Sequence, residues 1–248
     1  IGGLPSEISN LNNLIFLNVS NNQLTGLIPD DICNMNINWN GTSYFNLTNN
    51  QFCPPYPSCI TNQLVFPQDC ADENCSDGST GLWGWCYDQE TTNSLSVWNS
   101  QLSGTIPTEI GELTNLETLN LGVNNFTGEI PASFGNLINL EQLSLKQNQI
   151  SGIIPTDLQN LTNLKYLDLS YNSISGNISD WIGGLNTLEF LSLSHNNITG
   201  SLPHELGQIT SLVSVELDNN QLSGEFPQWI SNLNNLIVLE LNNNNLSG

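Results

Sequence analysis

The 248-residue chain carries two lysines, no arginine and 23 acidic residues, for a formal net charge of −21. Nucleic-acid binding needs clustered cations that displace counterions, so that class is excluded, and anionic membrane surfaces are disfavoured on the same ground. Only 10% of residues are charged, against roughly a quarter in an average domain, so the surface reads as Asn, Ser, Thr and Gln with acid scattered through it.

In chain order, an apolar-x-apolar pair followed by Asn and another apolar residue stands first at Leu17/Val19/Asn22/Leu24 and Phe45/Leu47/Asn50/Phe52. The pattern is then lost and resumes at Leu95/Val97/Ser100/Leu102. From there it keeps a 24-residue period through Leu119/Leu121/Asn124/Phe126, Leu143/Leu145/Asn148/Ile150, Leu167/Leu169/Asn172/Ile174, Leu191/Leu193/Asn196/Ile198, Val215/Leu217/Asn220/Leu222 and Leu239/Leu241/Asn244/Leu246. Alternation predicts a short strand with both apolar side chains inward and the middle residue outward. The Asn supplies two donors and an acceptor, enough for one side chain per coil to satisfy backbone groups turned inside. Asn22, Asn50, Asn124, Asn148, Asn172, Asn196, Asn220 and Asn244 form that column, and Ser100 departs from it. The return path, as in Leu102-Ser-Gly-Thr-Ile-Pro107, bends at Gly and takes its exit direction from Pro. A short run such as Ile110-Gly-Glu-Leu113 closes each coil as a 3₁₀ or helical turn.

This pattern resembles the plant-type leucine-rich repeat, L-x-x-L-x-x-L-x-L-x-x-N-x-L-x-G-x-I-P, over residues 1–52 and 95–248. The resemblance implies an α/β solenoid: a right-handed coil with a parallel concave sheet and a short 3₁₀ or helical convex side. One Cys-rich irregular insertion interrupts it. It also implies an extracellular or cell-surface setting among receptor ectodomains, cell-wall inhibitors and adhesion modules. Ile178-Ser179 departs from I-P, which removes one rigid turn without removing the coil. Three segments follow: 1–52, the end of a first repeat block; 53–94, a Cys-rich cap or linker; and 95–248, a second block truncated at its C-terminal end. The chain opens within a repeat and stops within another, so it is read as part of a longer protein. No stretch of about 20 apolar residues would insert in a membrane.

Cys53, Cys59, Cys70, Cys75 and Cys86 lie in the insertion, with Cys33 just upstream. Six crowded cysteines read as disulfides in an oxidising compartment. The pairing is open, and a Cys53–Cys59 bridge closing a small loop is the first to test. The stretch Leu82-Trp-Gly-Trp-Cys86-Tyr-Asp resembles the W-x-G-x-x-C cap that precedes a first coil in plant-type arrays, in compressed spacing. Metal is not expected: paired C-x-x-C units and nearby His are missing. The acidic loop from Asp69 to Gly78 lacks the regular spacing of a calcium site, so it is read as a solvated loop, with calcium the one cofactor kept open.

Nine N-x-S/T sequons stand at Asn18, Asn40, Asn46, Asn74, Asn125, Asn160, Asn177, Asn197 and Asn245. They are glycan acceptors if the chain passes through a eukaryotic secretory route, but the repeat itself writes N-x-S/T. Outward sheet positions form columns, and these bring Tyr166, Tyr171, Phe190 and His195 together on adjacent coils with Asp168 between them and Trp98 further along. Exposed aromatics on a rigid sheet anchor partners, although they also shield strands without any ligand. Asp168, Glu216, Asp218 and Glu240 make the C-terminal half acidic, which favours a cationic partner or bridging calcium. A second rank of hydroxyls precedes the repeat Gly at Thr25, Ser103, Thr127, Ser151, Ser175, Thr199, Ser223 and Ser247. It is read as bonding the turn backbone rather than as a binding face.

His195 and His204 fall on opposite sides of the coil, and no nucleophile elbow, phosphate loop or metal pair is present, so the chain is not read as an enzyme. Two readings remain. One is an extracellular recognition or adhesion module that binds a protein or glycan on its concave face. The other is a structural subunit that joins further copies of itself into a filament, sheath or surface layer.

Overall fold

A computed structural model describes residues 3–37, 44–53, 57, 59–60, 75, 78–178 and 180–248. The side chains of Cys53 and Asp180, and with them Cys70, Asn40, Asn74, Ser179 and the acidic stretch 69–74, lie outside the described residues. The chain divides into two compact units, one of residues 1–88 with 100–102 and one of residues 89–99 with 103–248.

The second unit is the regular one. Its L-x-L segments pair in parallel as a seven-stranded sheet from Ser94–Ser96 through Val238–Glu240. The register never slips: Gln142, Tyr166, Phe190, Ser214 and Val238 stand opposite one another, as do Ser144, Asp168, Ser192, Glu216 and Glu240. A one-residue slip would turn the leucines to solvent. Leu119, Leu121, Leu143, Leu145, Leu167, Leu169, Leu191 and Leu193 are completely buried, each worth about 1.5–3 kcal/mol of apolar burial.

A second seven-stranded parallel sheet, from Ser103–Thr105 through Asn245–Ser247, runs along the return path. The sequence pattern alone predicts only a Gly bend there. Each of these glycines in the second unit, Gly104 to Gly224, holds a positive φ of 78° to 87°. The hydroxyls before them bond across coils: Thr127, Ser151, Ser175 and Thr199 donate to the carbonyls of Gly104, Gly128, Gly152 and Gly176 at 3.0–3.4 Å. Ser247 donates likewise to the Gly224 carbonyl at 3.2 Å, so at these positions the hydroxyl is taken up by the backbone of the coil before it.

The convex side consists of five-residue 3₁₀ turns such as Thr108–Glu112 and Ala132–Asn136. Each is set by the preceding proline, whose extended backbone aims its carbonyl at the N–H three residues on: Phe134 donates to Pro131 at 3.1 Å and Leu158 to Pro155 at 3.2 Å. Where Ile178-Ser179 replaces Ile-Pro, the turn Asp180–Gly184 still forms. Glycines inside these turns let coils stack closely; a Cβ on Gly135 would lie 2.7 Å from the Asp157 carbonyl oxygen.

The Asn column works as its chemistry demands. Asn196 Nδ2 donates to the carbonyls of Leu169 and Leu193, both at 3.0 Å, and its Oδ1 accepts the Ile174 N–H at 2.9 Å. The equivalent bonds recur at Asn148, Asn172, Asn220 and Asn244.

The first unit holds two shorter parallel pairs, Leu17–Asn18 with Phe45–Asn46 and Thr25–Leu27 with Gln51–Cys53. Asn50 bonds the carbonyls of Val19 and Leu47, both at 2.9 Å. Its core gathers Ile28, Ile32, Phe45, Leu47, Phe52 and Ile60. The Cys53–Cys59 expectation is wrong: Cys59 bonds Cys33 instead, with their Cα atoms 5.6 Å apart. Coiling brings the 3₁₀ turn Asp30–Asn34, which carries Cys33, beside Cys59, a proximity that short loop length cannot reveal. Cys75 bonds Cys86. The stretch expected to be irregular contains an antiparallel hairpin, Ser79–Leu82 with Trp85–Asp88.

Candidate recognition face

The outward side chains of the L-x-L sheet in the second unit form the candidate site. Alternation puts residues 166 and 168 on one face of the strand Tyr166–Asp168, and register stacks each above its counterpart in the next coil. Tyr166 and Phe190, one strand apart, stack with ring centroids at 4.4 Å and planes 7° apart. Beyond the strands, Tyr171 and His195 stack at 4.2 Å and 14°.

Between these aromatic pairs lies a polar floor whose outward-column residues are nevertheless buried. Asp168 is 2% exposed, and Ser170, Ser192 and Ser194 are buried beside it. The Asp168 carboxylate is satisfied locally. Its Oδ1 accepts from the Ser170 N–H at 3.0 Å and the Ser170 hydroxyl at 2.6 Å, and its Oδ2 accepts from the Tyr166 hydroxyl at 3.2 Å. Burial first, then the Asp168 charge and hydrogen bond and the charge of Glu216, push the Tyr166 phenol up to about 12. It is therefore a neutral donor throughout the physiological range. Asp168 is thus held in place by its own donors at the floor of this face.

Toward the N-terminal coils the face opens into a groove of about 330 Å³ lined by Trp98, Asn120, Gln142, Lys146, Tyr166 and Asp168, among others. Trp98 is 57% exposed. Gly122 stands between Trp98 and Lys146 in the same row; a Cβ there would come within 3.3 Å of Trp98 Cδ1, so its absence opens the groove floor. Lys146 Nζ lies 3.7 Å from Asp168 Oδ2 and 5.8 Å from the Tyr171 ring centroid. The structure therefore joins Trp98, Tyr166 and Asp168 in the groove, with Phe190 against Tyr166, and sets Tyr171 and His195 along its margin. Lys146, Gln142, Asn120 and Gly122 were missed as site residues; their signal was membership of the same outward columns.

At the C-terminal end, Asp218 accepts from the Ser194 hydroxyl and the Asn219 amide. His195 Nε2 is 3.7 Å from Asp218 and 3.2 Å from the Asn219 amide nitrogen. His204 opens the 3₁₀ turn His204–Gln208 beside Glu205 and takes no part in this face. Among the described residues, no group of three or more His, Cys, Asp or Glu side chains is placed to hold a metal ion. Nor is any helix there long and apolar enough to cross a membrane.

Two leucine-rich-repeat family models match, one over residues 114–174 and 140–198 and the other over 13–35 and 211–233. Together these matches span more than half of the chain, which belongs to the leucine-rich-repeat proteins. Its fold is similar to the plant peptide hormone receptor RGFR1, solved in complex with RGF2 (34% identity, 100% of this chain and 35% of that one, TM-score 0.63). It is also similar to the ectodomain of the Arabidopsis thaliana receptor kinase GASSHO1/SCHENGEN3, solved with CASPARIAN STRIP INTEGRITY FACTOR 2 (28% identity, 99% and 32%, TM-score 0.65). A third similar structure is Pollen Receptor Kinase 3 (32% identity, 71% and 83%, TM-score 0.59). The chain spans about a third of the length of the first two. No curated protein matches.

Proposed function

We propose that the chain is a non-enzymatic, extracellular plant-type leucine-rich-repeat module that recognises an extended peptide or protein segment on the L-x-L face of its second unit. The observation that carries this reading is the groove from Trp98 to Asp168, continued by the Tyr166–Phe190 and Tyr171–His195 pairs. It is a rigid, aromatic-flanked surface with polar groups fixed at its floor, as a recognition site requires. The similarity to a plant peptide hormone receptor, solved in complex with RGF2, supports the partner class. The Cys33–Cys59 and Cys75–Cys86 disulfides support an oxidising compartment.

The test is selection from a random peptide display library against the chain and against a Trp98→Ser/Tyr171→Ser variant. Peptides that bind the chain and lose affinity for the variant uphold the reading. Selected peptides indifferent to the variant, or selection of none, would sink it. Glycan-array binding that the same variant abolishes would move the assignment to a carbohydrate.

A further inference from the structure

The face carries a charge pattern with a readable spacing. Only two cations exist in the chain, Lys146 and Lys165. Lys165 is held by Glu141 at 2.8 Å. Lys146 is the one cation on the recognition face, and its side chain is 43% exposed. Its contact with Asp168, at 3.7 Å, is longer than the roughly 2.8 Å of a charge-assisted hydrogen bond. Asp168 already has its own donors, so the ammonium remains able to donate into the groove.

Three coils further on, Glu216 stands in the row of Asp168, and Glu240 lies directly opposite it in register. Like charges facing across adjacent strands repel, and among the described residues neither carboxylate makes an ion pair. Ser192 and Ser194 floor the intervening coil between the two aromatic pairs.

Resting on the peptide reading above, we propose that this face selects an extended, net-cationic peptide by charge register. One acidic side chain meets Lys146, an apolar side chain lies between the aromatic pairs, and basic side chains meet Glu216 and Glu240. Strands lie about 4.8 Å apart, so Glu216 is about 14 Å and Glu240 about 19 Å along the array from the Lys146 coil. An extended chain advances about 3.3 Å per residue and alternates faces. The bases therefore fall about four and six residues from the acid, and even spacing puts all of them on the side facing the sheet. The chain's −21 charge disfavours polyanions and steers such a peptide inward.

The probe is a blocked, fluorescently labelled heptapeptide with Glu first, Leu third, Lys fifth and seventh, and Gly between. Its reversed-order version is tested beside it, because the spacing, not the direction, is specified. Anisotropy titrations compare each with a Glu→Gln peptide and with a peptide of the same composition whose lysines move to positions four and six. The two control peptides should bind about five-fold more weakly, and the Glu→Gln loss should vanish in Lys146→Gln. Equal loss from Lys146→Gln for acidic and neutral peptides, or indifference to lysine position, overturns the register. So does failure of both parent peptides to bind. If library selection still yields peptides that need Trp98 and Tyr171 but lack this spacing, the register falls and the peptide reading stands.

Discussion

Tyr171 and His195 stack face to face at 4.2 Å, and both hold left-handed backbone, with φ of 56° and 54°. The two facts have one cause. The residue before each ladder position, Asn in every coil but that of Ser100, adopts this conformation throughout the second unit: Asn99, Val123, Gln147, Tyr171, His195, Asn219 and Asn243. Identical backbone at a fixed coil spacing presents successive side chains in parallel, so whatever the sequence writes there becomes a stacked column.

Val123 is the misfit of that column, because β-branched side chains strain left-handed backbone while Asn tolerates it. Val123→Asn should stabilise the chain by about 0.5–1 kcal/mol, read as a higher midpoint in thermal or urea unfolding. No change, or a decrease, would show that Val123 packing outweighs its backbone.

Asn196→Ala removes the donor to Leu169 and Leu193 and orphans the Ile174 N–H in a buried setting. A loss of roughly 3 kcal/mol is expected from groups left unpaired away from water. Amide exchange at Ile174 should accelerate more than at Ile150, whose N–H is held by Asn172.

Gly135→Ala would drive a Cβ to 2.7 Å from the Asp157 carbonyl oxygen and 2.8 Å from its Cβ. Since one coil's backbone must retreat, a loss of about 2 kcal/mol is expected. Gly104→Ala serves as comparison: its Cβ meets nothing within 4 Å, so only the positive φ opposes it, and denaturant unfolding should show a smaller loss of about 1 kcal/mol.

The Tyr166 phenol, pushed up to about 12, binds its proton more tightly in the folded chain than in the unfolded one. Its contribution is therefore fully present below about pH 10, the ordinary tyrosine value, and fades as pH rises toward 12. Tyrosinate absorbance of the chain minus that of Tyr166→Phe should give a transition near 12. A difference transition near 10 would mean that Tyr166 is not buried against Asp168.

The repeat, the strands, the Asn column and the proline-led turns were legible because each rests on a local rule repeated at constant spacing. The second sheet was not, since Ser-Gly-x reads as a bend until a neighbouring coil supplies a partner strand. Cys33–Cys59 was hidden for a similar reason: only coiling makes residues 26 positions apart into neighbours. At the candidate site, the columns placed the aromatics and Asp168 together. They could not show that flanking rings and Tyr166 would seal Asp168 from solvent and leave Lys146 as the charge on offer.

The ladder amides have a direction. Asn148, Asn172, Asn196, Asn220 and Asn244 each reach to a carbonyl of the coil before them and receive an N–H from it, never the reverse. A coil emerging from the ribosome therefore holds unpaired inner groups until its successor's Asn arrives. Closure is vectorial, each turn being latched by the one synthesised next, and loss of the Asn from a coil unlatches the one before it.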